Sequence, residues 1–194
     1  EGLSPLDVVK FTSAYSTFIK AKSQKSNPKI VVGRDARISG EMVKSLVVGA
    51  LTGMGCNVVD IDLASTPTTE IAVTKENADG GIILTASHNP KQWNALKLLD
   101  SNGEFLSAVA GAEILQIAED ESFAFANVDD LGKVETRDYT DIHIQEVLSL
   151  ALVDADAIKA AKFKIAIDAV NSVGGIVLPA LLKALGVEEI VEIN

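Results

Sequence analysis

The chain has one cysteine, one tryptophan, two histidines and five prolines in 194 residues, and aromatic side chains make up only 5% of it. The lone Cys56 excludes an intrachain disulfide, and its apolar neighbours make a buried thiol the expected state. Positive charge is also scarce: 17 basic against 27 acidic residues give a formal charge of −10. Such a surface repels a phosphate backbone, which argues against nucleic acid and anionic membranes as partners, and any anionic ligand must be met by a local basic cluster. No apolar run reaches the roughly 18 residues of a membrane span and no signal peptide is visible, so cytoplasm is the expected compartment. The first residue is Glu1 rather than methionine, and the chain is expected to begin inside a longer protein. What is plentiful is hydrophobic residues, 47% of the total, enough for a real core.

That apolar content is distributed as alternating short strands and amphipathic helices, the pattern of an α/β fold. Residues 4–22 predict a helix with Ser4 as N-cap, Pro5 at its first position and Asp7 closing a capping box; Val8, Val9, Phe11, Thr12, Tyr15, Phe18 and Ile19 form its inward stripe. A strand over 29–34 follows, then the polar loop Gly33-Arg34-Asp35-Ala36-Arg37-Ile38-Ser39-Gly40. Ser39 reads as the N-cap of a helix running to Gly53, with Met42, Val43, Leu46, Val47, Ala50 and Leu51 inward. Residues 57–62 predict a strand, and Pro67 opens a short helix ending near Asn77. Later helices are predicted over 107–121, 138–152 and 154–162. Glu113, Glu119, Asp120 and Glu121 form a solvated face of the first of these. His143, on the second, is read as a surface or satisfied helix residue rather than a ligand.

The chemistry concentrates in residues 80–97, GGIILTASHNPKQWNALK. Ile82, Ile83 and Leu84 read as a strand buried on both faces. Directly after it, Thr85, Ala86, Ser87, His88, Asn89 and Pro90 place hydroxyls, an imidazole and an amide at the strand's carboxyl end, where open α/β sheets bind ligands. Pro90 keeps Asn89 out of the helical region, so the segment stays a loop. Residues 95–99 then return as a strand toward the turn Asp100-Ser101-Asn102-Gly103. This hairpin would fix Lys97 beside the loop carrying Ser87. Trp93, next to the site, reads as a partly buried packing residue.

The hexamer Thr85 to Pro90 followed by Asn94 and Lys97 resembles the phosphoserine loop of the alpha-D-phosphohexomutases, which include phosphoglucomutase, phosphomannomutase and phosphoglucosamine mutase. The Gly33 to Gly40 segment resembles the same family's glycine-arginine-aspartate-x-arginine-x-serine-glycine motif. One departure stands out, Ala95 where the family usually has glycine; alanine resists positive φ. The resemblance implies a three-layer α/β/α fold with a mixed sheet, followed by the start of a second, similar α/β domain. It implies that Ser87 carries a phosphoryl group, given to a hexose monophosphate and retaken from the other end of the bisphosphate, and that the phosphate on Ser87 is a ligand of Mg2+. It makes Lys97 a general acid/base or electrostatic partner and His88 a second catalytic side chain. Arg34, Arg37, Asn89 and Asn94 are implied either to bind substrate phosphate or to support the loop. For the arginines the supporting role is favoured, because Asp35 can pair with either and leave little net charge.

Residues 165–169, the helix after them and 190–193 echo residues 30–36, their helix and 58–61, so a domain boundary is placed between 158 and 159. The first domain is then 1–158, and 159–194 is an incomplete second one. The remaining Mg2+ ligands and the sugar-binding parts of such an enzyme are expected outside this chain, with hexose phosphates as substrates and a hexose 1,6-bisphosphate as activator. The chain alone is expected to be inactive. Two other classes stand beside this reading. A non-catalytic sugar-phosphate-binding domain would keep the fold and lose phosphorylation of Ser87. A serine hydrolase lacks its Gly-x-Ser-x-Gly elbow here, since Thr85 and Asn89 occupy the glycine places. The identity of the hexose, glucose, mannose or glucosamine, is left open.

Overall fold

A computed structural model describes residues 3–194. Helix α1 (Pro5–Ser23) starts as its sequence dictates: Ser4 Oγ accepts the Asp7 N–H and the Asp7 carboxylate accepts from the Ser4 N–H, a reciprocal capping box. Strands β1 (Lys29–Arg34), β2 (Asn57–Leu63), β3 (Gly80–Leu84), β4 (Leu96–Leu99) and β5 (Val134–Thr136) form one sheet in the order β4-β3-β1-β2-β5. All pair in parallel except β4, which runs antiparallel to β3. The sheet is therefore mixed, as expected.

Helices cover both faces. On one face α1 packs against α2 (Gly40–Gly53) and α4 (Ala108–Asp120), over a core that includes Val8, Tyr15, Ile30, Val32, Leu51 and Ile82. On the other face lie α3 (Thr66–Lys75) and α5 (Thr140–Leu148), over Val31, Val59, Val73, Ile83 and Tyr139. Because Val31 and Val32 feed opposite cores, the β1 sequence is apolar without alternation. The chain leaves β1 through α2 toward β2 on one side, and places β3 and β4 on the other. The carboxyl ends of β1 and β3 thus flank the topological switch point of the sheet.

Several expectations are corrected. Met42 lies on α2 but is 45% exposed; the buried residues there are Val43, Val47, Ala50 and Leu51, and Met42, one step ahead of them, is turned out by the roughly 100° rotation per residue. The strand β5 is absent from the sequence reading. Ser39 stands at the α2 N-cap position yet makes no capping bond; its hydroxyl accepts from Asn94 instead. The helix expected over 138–152 shortens to α5. His143 is satisfied, its Nδ1 2.9 Å from Thr68 Oγ1.

Two polar ties fasten the layers. Tyr15 Oη donates to the Leu99 carbonyl at 2.7 Å, and a Cβ on Gly80 would come within 2.1 Å of that oxygen, so only glycine leaves room for the tyrosine. Glu76, 7% exposed, accepts from Tyr139 Oη at 2.5 Å, Arg137 Nη1 at 2.7 Å and Lys29 Nζ at 3.2 Å. Beyond the first sheet, α6 (Ala155–Ala161) leads to β6 (Lys164–Ile167), α7 (Gly174–Ala184) and β7 (Glu189–Glu192). β6 and β7 pair in parallel as a separate two-stranded sheet, repeating the β1-α2-β2 topology that the internal echo anticipates. Among the described residues no helix is long and apolar enough to cross a membrane.

Candidate active site

Arg34 and Leu84 end β1 and β3 in register, and the Asp35 N–H donates to the Leu84 carbonyl at 3.0 Å. The loop after β3 is closed at its neck by Thr85 N–H to the Ala95 carbonyl at 3.1 Å, and tightened inside by Asn89 N–H to Ala86 and Trp93 N–H to Pro90. Ala86 is buried, while Ser87, His88, Asn89 and Pro90 are exposed. Ser87 stands at the first exposed position with φ of 56°, left-handed backbone that costs a non-glycine residue about 1–2 kcal/mol. Such strain persists only where the surroundings over-determine it.

The surroundings do so from below. The Asp35 carboxylate takes the Arg37 backbone N–H at 3.0 Å, Arg37 Nε at 3.2 Å and the Thr85 hydroxyl at 2.6 Å. Thr85 Oγ1 in turn accepts the Ser87 N–H at 3.0 Å. Arg37 reaches across to the loop and donates to the carbonyls of Ser87 (2.9 Å), Asn89 (2.8 Å), Pro90 (3.0 Å) and Trp93 (2.8 Å). Both peptide groups flanking the Ser87 Cα are therefore held by side chains.

A family profile described as "Phosphoglucomutase/phosphomannomutase, alpha/beta/alpha domain I" matches residues 1–125. The chain belongs to the phosphoglucomutase/phosphomannomutase family. It is 35% identical over 194 residues, all of this chain and 42% of the relative, to a phosphoglucomutase/phosphomannomutase of Thermococcus kodakarensis. It is 35% identical over 184 residues, 95% of this chain and 39% of the relative, to a phosphoglucosamine/phosphogalactosamine mutase of Sulfurisphaera tokodaii. A solved phosphoglucomutase/phosphomannomutase family protein of Burkholderia thailandensis shares the fold, with a TM-score of 0.79 at 24% identity over 98% of this chain and 40% of that one. The chain thus spans about 40% of the length of these relatives.

Within this family member the two arginines differ. Arg34, 8% exposed, does not pair with the Asp35 carboxylate; its Nε donates to Asp62 at 2.7 Å, Nη2 to Glu41 and Nη1 to the Asp35 carbonyl at 3.2 Å. Asp62 reaches it because β2 carries one extra residue opposite Val32/Gly33 and turns through φ of 49° at Asp62. Burial pushes the Asp62 carboxyl up, but Lys44 and Arg34 outweigh it and leave it below the ordinary aspartate range. Asp35 pairs with Arg37 alone. Asn94, 9% exposed, donates from Nδ2 to Ser39 Oγ at 3.0 Å and accepts the Ala95 N–H at 2.9 Å. It ties the far end of the serine loop to the start of α2.

Ala95 has no positive φ; the left-handed residue of the loop is Ser87. Among the expected catalytic side chains, His88 Nδ1 lies 3.5 Å from Ser87 Oγ, the outer limit of a hydrogen bond. Lys97 stands on β4 opposite Ile83, and its Nζ lies 5.5 Å from the centroid of the Phe105 ring, a cation–π position. Asn89 faces solvent and meets Arg37 through its carbonyl. Trp93 is 45% exposed, more open than expected, and borders an apolar cleft of about 680 Å³ with Phe11, Leu96 and Ile114. The residues that sequence reasoning underrated are Thr85 and Asp35. Their one legible signal is a hydroxyl and a carboxylate at the ends of neighbouring strands.

Proposed function

We propose that this chain is the phosphoserine-bearing part of a phosphohexomutase that interconverts hexose 1-phosphate and hexose 6-phosphate. The observation that carries the reading is an exposed serine, Ser87, held in left-handed backbone at the switch point of the sheet by Asp35, Thr85 and Arg37. In the proposed cycle the bond between Ser87 Oγ and phosphorus breaks as one forms to a hydroxyl oxygen of the sugar monophosphate. The hydroxyl's proton passes to a base and a proton is delivered to the departing Ser87 Oγ; the reverse step at the other phosphate of the bisphosphate restores phosphoserine. Transfer of this kind depends mainly on positioning and on charge stabilisation.

Lys97 is proposed to supply that charge as an ammonium, or the base as a neutral amine, when its flexible stem swings off Phe105, with His88 as the nearer partner of Ser87 Oγ. Asn89 and Asn94 are placed with the loop-supporting residues. Residues 1–158 are proposed as the first domain and 159–194 as part of a second, with α6 across the boundary. Hexose phosphates are the proposed substrates, a hexose 1,6-bisphosphate the activator, and cytoplasm the compartment.

For Mg2+ the donor set fits only in part. Phosphate on Ser87 would offer a hard oxygen ligand, but among the described residues no group of three or more His, Cys, Asp or Glu side chains converges on one point. Further ligands are proposed to come from residues beyond this chain, and no step is assigned to the ion. The test is tandem mass spectrometry before and after incubation with glucose 1,6-bisphosphate and magnesium. Phosphate mapped to Ser87 supports the reading. Its absence from both this chain and the full-length protein favours a binding-only relative.

A further inference from the structure

We infer that Arg37 is a positioning residue for phosphoryl transfer at Ser87 and not a ligand of substrate phosphate. The inference rests on the proposed role of Ser87 and adds to it how the serine is aimed. A guanidinium has five N–H donors in a rigid planar fork and no acceptor. In Arg37 all five directions are occupied: Nε by Asp35, Nη1 by the carbonyls of Pro90 and Trp93, and Nη2 by those of Ser87 and Asn89. The side chain is 11% exposed. No N–H is left for a phosphate.

The same bonds define what the residue does. Four carbonyls drawn inward onto one cation turn the loop's negative ends away from its outer surface, where Ser87 is exposed. Asp35 completes the device. It fixes the guanidinium through Nε and, through the Thr85 hydroxyl, the amide of Ser87 itself. Arg37 thus holds the carbonyl side of Ser87 and the Asp35–Thr85 pair holds its amide side. Lysine cannot take this place, since three donors on a tetrahedral head cannot meet four carbonyls and a carboxylate.

The test uses the full-length protein and the variants Arg37→Ala, Arg37→Lys and Thr85→Val. A displaced nucleophile is expected to lower kcat by about 100-fold in all three while KM for the hexose phosphate stays within about twofold, since uniform binding is untouched. Free guanidinium, far below denaturing concentration, is expected to restore part of kcat in Arg37→Ala and none in Thr85→Val. A raised KM with unchanged kcat in the arginine variants would make Arg37 a substrate ligand and overturn the inference, as would unchanged kcat throughout. A second readout does not depend on turnover: in serine labelled with 13C and 15N, the backbone coupling and chemical shifts of Ser87 report its left-handed conformation. Loss of that signature in Arg37→Lys supports positioning, and its retention overturns it. If wild-type Ser87 accepts no phosphate, the proposed function fails, and the conformational readout then decides only whether Arg37 sets the backbone of Ser87.

Discussion

Ser87 occupies backbone that glycine would adopt more readily, and the chemistry of a hydroxyl is the only reason apparent for serine there. Substituting glycine should relieve about 1–2 kcal/mol of left-handed strain, offset by about 0.5–1 kcal/mol from the looser unfolded chain. Ser87→Gly is therefore expected to melt at or slightly above the wild type while losing all phosphate incorporation. A drop in stability of more than about 1 kcal/mol would mean that the side chain itself holds the loop. At this scale much was legible in the sequence. The Thr85 to Pro90 hexamer marks the loop, and Asn94 and the two arginines are near it. The pairing was less legible: Asp35 to Thr85 and Arg37 to the loop carbonyls join residues about fifty positions apart, and no local pattern encodes which arginine faces which carboxylate. Ser39 shows the same limit, since a serine before a helix suggests a cap, while its hydroxyl is taken by Asn94 from the other loop.

Among elements, strands buried on both faces and capped helices were readable because their signals are local. Lys29–Arg34 and Gly80–Leu84 are short apolar runs, and Ser4, read as an N-cap, accepts the Asp7 N–H; the caps at Ser65, Ser107 and Asp154, which the sequence reading does not name, appear only in the structure. β5 was not readable: its three residues are exposed and owe their strand form to pairing with β2 rather than to any periodicity. What fastens that region is Glu76. Burial pushes its carboxyl up, but hydrogen bonds from Tyr139 and Lys29 and the charge of Arg137 hold it below the ordinary glutamate range. A carboxylate depressed in the folded state stabilises above its unfolded value and loses that contribution as pH falls through the folded one. The urea midpoint is therefore expected to fall as pH drops from about 5 toward 3. Glu76→Gln should be weaker than the wild type at neutral pH, with a shallower fall below 5. Parallel pH profiles for the two proteins would remove Glu76 from this role.

Taken as a whole, the molecule spans about 40% of its relatives' length, and the proposed cycle needs groups to grip a sugar phosphate besides the serine loop. A coupled assay on this chain alone is expected to show no mutase turnover, because positioning supplies most of the catalysis in such transfers. Turnover at the rate of the full-length protein would overturn the proposed division of labour. The charge of −10 places the burden of anion binding on local geometry at this scale too.

The two-stranded β6–β7 sheet has a consequence for how the chain behaves in solution. Among the described residues each of these strands is paired on one side only, and Val191 on β7 and Ile193 just after it are 55% and 61% exposed. Unpaired strand edges beside apolar side chains are templates for joining another copy. Light scattering by this chain should rise steeply with concentration, and Val191→Lys, which puts a charge on that edge, should flatten the rise without changing Ser87 chemistry. The chain's handling in the test tube would then be governed by its last two strands, far in sequence from the proposed phosphoserine loop.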